Sequence, residues 1–145
     1  MPSYTLEVGD DDAVGDEARQ VRRSVFIDEQ GVSESEEMDD KDGAATHLLL
    51  SDGDRPVATA RYRFVDETTV KIERVAVLSQ YRGEGLGIRI MEAAEAAARD
   101  DGAMEAVLHG QRRVEEFYTG IGYEIVSDEF EEAGIPHVEM RKELA

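Results

Sequence analysis

The sequence predicts one α/β (α+β) domain spanning residues 1–145, built on a mixed sheet with helices against it. A glycine-rich loop joins a buried strand to an amphipathic helix, and a further strand follows. That strand–helix–strand unit, from Val70 to Leu108, requires parallel strands, because only a long crossover can join two strands in the same direction. Upstream, two strand-like stretches meet at Asp52-Gly53, a hairpin signal that requires an antiparallel pair. A chain of 145 residues with 41% hydrophobic content is enough for one core, and no repeat or linker composition divides it.

In chain order, Tyr4 to Val8 alternates as a short strand. Asp10, Asp11 and Asp12 suit a helix start, where carboxylates meet free N–H groups. Val14, Ala18, Val21 and Val25 recur at helical spacing, so the first helix runs to about Gln30, before Gly31. The stretch from Ser33 to Gly43 is acidic and reads as a polar surface loop or mobile lid. It is not an EF-hand, because Met38 and Leu49 occupy ligand places. His47 to Leu50 and Val57 to Phe64 form the hairpin. Val70 to Val77 is a strand whose end is apolar on both faces, as in a sheet centre. Leu86, Ile90, Ala94 and Ala97 mark a helix ended at Gly102. Ala103 to Leu108 is its partner strand, Val114 to Ile121 a short last helix, and Tyr123–Val126 and His137–Lys142 closing strands.

Composition excludes several functions. The chain has no cysteine, hence no disulfide, thiolate nucleophile or Cys-based zinc site. A zinc site from His47, His109 and His137 lacks short ligand spacing, so no metal is expected. No apolar run reaches the roughly 18 residues of a membrane span, and the first residues carry no secretory pattern, so a cytoplasmic protein is expected. Thirty-four acidic residues against 16 basic leave a net charge of −18, which repels nucleic acid and anionic membrane. Lysine is confined to Lys41, Lys71 and Lys142. An acid-rich, lysine-poor surface suits concentrated salt, where charges are screened within a few ångström, and points to a halophilic source. The alternative is an ordinary acidic surface, and stability in dilute buffer separates the two.

The loop Gln80-Tyr81-Arg82-Gly83-Glu84-Gly85-Leu86-Gly87 carries the most chemistry. Glycines let backbone approach a ligand closely and adopt positive φ. The helix N-terminus behind them offers unpaired N–H groups to an anion, and Arg82 adds a full charge. The loop has neither the Gly-Lys-Ser/Thr of a Walker motif nor the third glycine of a dinucleotide fingerprint. Anion binding and plain helix–strand packing both remain open on spacing alone.

With its preceding strand, this loop resembles the acyl-CoA loop of GNAT acetyltransferases, Arg/Gln-x-x-Gly-x-Gly/Ala, matched by Arg82, Gly85 and Gly87. Val25-Phe26-Ile27-Asp28-Glu29-Gln30-Gly31-Val32, Pro56 to Arg61, Leu108-His109-Gly110-Gln111, Phe117-Tyr118 with Gly122-Tyr123, and Gly134-Ile135-Pro136-His137 with Met140 are similar to one branch. That branch holds small acetyltransferases of the ElaA/YjcF kind. The resemblance implies the GNAT fold, a strongly twisted mixed sheet splayed between the parallel strands on either side of the loop helix. It also implies acetyl-CoA as cosubstrate, a primary amine of a small molecule or protein as acceptor, and direct attack in a ternary complex. A homodimer is left open, and a non-catalytic acyl-CoA-binding module is the alternative function.

Transfer needs an unprotonated amine, a donor to the thioester oxygen and a proton for the leaving thiolate. The family implies a backbone N–H for the donor, and Arg74, Val75 and Val77 occupy that segment. The expected cofactor contacts are Val75, Ala76, Val77, the loop from Arg82 through Gly83, Glu84, Gly85, Leu86 and Gly87 to Ile88, and Tyr118. Glu73 is a candidate base, on the reading that burial raises its carboxyl toward neutrality; pairing with Arg74 or Lys71 is the plainer alternative. Tyr118 matches the tyrosine that related enzymes place near the CoA sulfur, and core packing is its alternative. His137 faces away from Val138 and Met140, so it is a candidate base or acceptor contact. Glu29, Glu73, His109 and His137 are the expected acceptor-binding residues. No Gly-x-Ser-x-Gly elbow offers a covalent nucleophile.

Overall fold

A computed structural model describes residues 3–144. Eight strands, β1 (Tyr4–Gly9), β2 (Thr46–Asp52), β3 (Arg55–Phe64), β4 (Thr69–Val77), β5 (Glu105–Gln111), β6 (Glu124–Ile125), β7 (Phe130–Glu132) and β8 (Ile135–Glu143), form one sheet. The order is β1-β2-β3-β4-β5-β8-β6, with β7 also paired to β8. Among the described residues only β4 and β5 run parallel; the other pairings are antiparallel. The parallel pair is the one joined by a helix, α3 (Leu86–Asp100).

Helix α1 (Asp16–Arg22) is extended at both ends by π-wound turns, Asp11–Gly15 and Arg23–Glu29. The Asp10 side chain caps its start by accepting from the Ala13 N–H. Leu86, Ile90, Met91, Ala94 and Ala98 form the buried stripe of α3 at helical spacing. Both helices lie against the β2–β4 region. Leu48, Leu49 and Leu50 of β2 are all fully buried, so this part of the sheet is covered on both faces. Register separates those faces. His47 pairs with Arg61 and Leu49 with Thr59, while Leu48 pairs with Ala60 and Leu50 with Ala58. The second set, with Tyr62, whose hydroxyl bonds Asp101 just past α3, faces α3; the first faces α1.

The face toward α1 carries buried charge. Arg61 and Arg22 are each only 1% exposed. Arg22 donates to Glu37 Oε1 at 2.9 Å and to Asp42 at 2.7 Å, and Arg61 donates to Asp42 at 2.8 Å and to both Asp39 oxygens. The acidic stretch 33–43, expected as a polar surface loop or lid, therefore has its central carboxylates in the interior. It contains a short helix, α2 (Glu34–Glu37), capped by Ser33, and a 3₁₀ turn over Asp42–Ala44. The physical reason is counterion demand: two arginines on core faces need desolvated partners, and Glu37 and Asp42 are within reach. His47, fully buried, bonds the Asp42 carbonyl at 3.1 Å and anchors the same loop.

The C-terminal end differs from expectation in two respects. The strand expected over 123–126 is reduced to Glu124 and Ile125, with the Val126 N–H also donating to the Glu139 carbonyl of β8 at 2.9 Å. A further strand, β7, turns through Ala133-Gly134 onto the start of β8.

Candidate active site

The sheet opens where the sequence placed its buried strand. β4 pairs with β5 only from Thr69 to Lys71, so its later residues leave β5 unpaired. The cause is a β-bulge. Thr59 pairs with Ala76 but Arg61 with Glu73, so Arg74 and Val75 together oppose one residue of β3. Arg74 has φ 56°, a left-handed conformation that L side chains resist. Its guanidinium is held by the carbonyls of Glu36 and Glu37 at 3.3 Å and by Asp39 at 3.2 Å. On the other side of the bulge, Glu73 is tied to Arg61 and to Arg63 Nε at 2.8 Å. The buried charge network thus clamps the bulge that parts the strands.

The resulting cleft, about 840 Å³, passes through the sheet. By register, Lys71, Glu73, His109, Gln111 and His137 share the face of Arg61. Tyr118 lies on the opposite face, over Gly110. A Cβ on Gly110 would sit 3.1 Å from the Tyr118 ring, so this glycine lets α4 (Glu115–Gly120) approach the sheet closely.

The glycine loop borders the Tyr118 side. Gly83 and Gly85 have φ +85° and +81°, and a Cβ at either would meet nothing within 4 Å. Their conformation requires glycine, and the space beside them is open to a ligand. Gly87 differs: its Cβ would meet Phe117 at 3.1 Å, so this position serves packing of α3 against α4 as well as lining the cleft. The packing alternative therefore applies at Gly87, while Gly83 and Gly85 leave open space. Gly85 caps α3, whose first N–H groups face the loop.

Arg82 is engaged. Its two Nη atoms donate to Glu29 at 2.6 and 2.9 Å, and its Nε donates to the Val77 carbonyl at 3.1 Å. Glu29, expected at the acceptor, does not line this cleft; it is the partner of Arg82, whose hydrogen bond lowers its carboxyl. Glu84 accepts from the Tyr4 hydroxyl at 2.6 Å, and Ile88 is exposed; neither side chain lines the cleft. Val75, Ala76, Val77, Arg82, Gly83 and Leu86 do.

Three expected acid–base residues line the cleft, and their environments separate them. Burial of Glu73 acts to raise its carboxyl, but the hydrogen bond and charge of Arg61, with Lys71 and Arg63, outweigh it and bring the group below the ordinary value. This corrects the expectation of a base near neutrality: Glu73 is a committed anion that fixes the bulge. Burial pushes the Tyr118 hydroxyl up to about 12, so it carries its proton at neutral pH. Among the described residues that hydroxyl has no hydrogen-bond partner. His137 is buried, and its Nδ1 lies 2.7 Å from the Ile135 carbonyl. A carbonyl only accepts, so Nδ1 carries hydrogen and Nε2 is the basic atom of the neutral ring. His109 lies between two carboxylates, Glu132 at 2.9 Å from Nδ1 and Glu139 at 3.3 Å from Nε2. The Glu132 hydrogen bond, against burial and Lys71, raises its pKa.

Sequence reading missed Glu132, Phe130 and the charged clamp. The signals were present but weak: Ala133-Gly134 is a turn before Ile135, and Arg22 and Arg61 stand at apolar-face positions that call for counterions.

Residues 10–144 match the family model of the acetyltransferase (GNAT) domain. The chain is 41% identical to the uncharacterized N-acetyltransferase YjcF of Bacillus subtilis over 124 residues, 85% of this chain and 88% of that protein. Its fold superposes on the crystal structure of Escherichia coli ElaA with TM-score 0.86 at 26% identity, covering 97% of this chain and 99% of the other. An acyl-CoA N-acyltransferase from Pseudomonas aeruginosa is similar with TM-score 0.84 at 29% identity, over 97% and 99% of the two chains.

Proposed function

The chain belongs to the acetyltransferase (GNAT) domain family, and on that premise we propose that it moves an acetyl group from acetyl-CoA to a primary amine by direct attack in a ternary complex. The observation that carries this reading is the through-sheet cleft. A glycine loop with open space, a helix N-terminus and Tyr118 stand on one face, and His137 on the other. Two reactants entering from opposite faces meet at the unpaired edge of β4, which gives the reaction its proximity term.

In this mechanism the loop over 82–87 and the N-terminus of α3 hold the pyrophosphate. Backbone N–H groups of β4, over 75–77, donate to the pantetheine and stabilise the thioester oxygen as charge develops on it. His137 Nε2 removes a proton from the acceptor ammonium, and the amine nitrogen forms the new C–N bond to the thioester carbon. As the C–S bond breaks, Tyr118 protonates the thiolate and recovers a proton from the nitrogen, which ends as a neutral amide. One proton leaves with the products' formation, the one taken by His137.

The reading is tested by titrating acetyl-CoA against thermal unfolding at high salt, followed by a thiol-release screen over primary amines. Saturable stabilisation and thiol release support it. Binding without release from any amine leaves a binding module, and no binding overturns the cofactor site. Tyr118→Phe is expected to lower kcat about 100-fold, the usual scale for losing a general acid, with CoA affinity unchanged by calorimetry.

The Glu29–Arg82 pair makes a second expectation. A phosphate must take the guanidinium from this carboxylate, so Glu29→Gln is expected to tighten CoA binding. An exposed ion pair is worth up to about 1 kcal/mol, which corresponds to roughly five-fold. A weaker Kd in Glu29→Gln would instead make Glu29 a direct contact.

A further inference from the structure

The hairpin of β7 and β8 places a carboxylate between two cleft imidazoles. Glu132 Oε1 lies 2.9 Å from His109 Nδ1, and its Oε2 lies 3.8 Å from His137 Nε2, the basic atom of that ring. The Glu132 side chain is 44% exposed, so it touches solvent at one side and the cleft at the other. Phe130, from the same short strand, meets the His109 ring edge-on at 5.0 Å and stacks beside His137 at 6.1 Å. That aromatic contact holds both rings at their present orientation relative to Glu132. The turn that makes the hairpin includes Ala133 at φ 53°, another left-handed non-glycine residue on the cleft wall. Among the described residues, Lys71 from β4 and Glu139 from β8 also face this cluster, with Arg141 of β8 3.9 Å from Glu139.

Resting on the acetyltransferase reading above, we propose that Glu132 is the positioning and proton-accepting partner of His137, and that His109 holds Glu132 in that role as a fixed cation. The proton balance requires such a group. Each turnover leaves one proton on His137 Nε2, and Nδ1 is occupied by the Ile135 carbonyl, so the only exit from the ring is through Nε2. A rotation of the half-exposed Glu132 carboxylate closes the 3.8 Å gap, takes that proton and releases it to bulk water. His109, bonded from both nitrogens by Glu132 and Glu139, stays protonated and keeps Glu132 ionised between turnovers, in accord with the lowered carboxyl of Glu132, for which the His109 hydrogen bond is the leading cause. The two neighbours act on His137 with opposite sign: the carboxylate favours its imidazolium and the His109 cation disfavours it.

That opposition defines the test. Ring ¹⁵N spectra of the protein are recorded from pH 5 to 9 for wild type, Glu132→Gln and His109→Gln, with circular dichroism and a cooperative thermal transition as the check of folding. Glu132→Gln is expected to lower the His137 titration midpoint by roughly one pH unit, the scale of one close charge. His109→Gln is expected to raise it. With ethanolamine as a small amine probe, the acid limb of kcat against pH should move in the same two directions. Glu132→Asp should restore part of the plateau that Glu132→Gln loses. A His137 midpoint that is the same in all three proteins overturns the inference, whatever the turnover. Opposite shifts of the midpoint in a protein that binds no CoA would uphold the coupling and remove the acetyltransferase reading instead.

Discussion

Arg61→Ala is expected to cost a large share of the fold's stability. The guanidinium is 1% exposed and is shared by Asp39, Asp42 and Glu73. Removing it takes one partner from each of three carboxylates and leaves Asp42 to Arg22, Glu73 to Arg63 and Asp39 to Arg74, a net deficit of one buried cation. Breaking a buried ion pair from one side costs about 3–5 kcal/mol, against a total of about 5–15 kcal/mol for a domain. Urea denaturation should show the midpoint collapse, while Arg99→Ala, on the exposed side of α3, should change stability by no more than about 0.5 kcal/mol. An Arg61→Ala protein as stable as Arg99→Ala would remove the network from the account of stability. Acid tests the same network from the other side. Burial of Asp42 acts to raise its carboxyl, but hydrogen bonds from Arg22 and Arg61 outweigh it and hold the pKa at about 2, against 3.8 unperturbed. A depressed folded-state pKa gives stability that is present above the unfolded value. It should therefore be complete above about pH 4 and lost as pH falls toward 2. Because the network also clamps the bulge at Arg74, loss of ligand binding should accompany or precede unfolding.

Gly85→Glu is expected to abolish CoA binding while leaving a folded protein. Gly85 sits at φ +81°, where a side chain costs about 1–2 kcal/mol, so the melting temperature falls by several degrees. No protein atom lies within 4 Å of the added Cβ. The new carboxylate therefore extends into ligand space at a helix N-terminus, where it takes the N–H groups and repels a phosphate. Saturable stabilisation by acetyl-CoA should disappear at millimolar ligand. Gly85→Ala carries the same backbone cost without the charge, so it should lose the same stability and keep a larger share of binding. Undiminished binding in Gly85→Glu would show that the phosphates lie elsewhere.

What could be read from the chain followed local rules. The glycine loop was legible because positive φ and close backbone approach select glycine at fixed places between a strand and a helix. The stripe of α3 was legible because burial repeats every 3.6 residues, and His137 could be assigned a face because strand side chains alternate. Less was legible where a residue's role depends on partners distant in sequence. Glu73 illustrates this: burial alone argued for a raised carboxyl, but Arg61 and Arg63 from the adjacent strand reverse the sign. The ion pair of Glu29 was not legible either, because its partner Arg82 is 53 residues away. The stretch 33–43 was the largest departure, since acidic composition describes solvated loops and buried counterions equally well.

The sequence by itself determined the family, the strand–helix–strand frame and the loop that faces the cleft, because these rest on backbone conformation and on contacts between near neighbours. Only the tertiary structure decided which carboxylates are buried, where β4 parts from β5 and which imidazole has a free basic nitrogen. Those outcomes depend on electrostatic pairing across strands and loops, and pairing energy is a property of distance in space, which spacing along the chain does not encode.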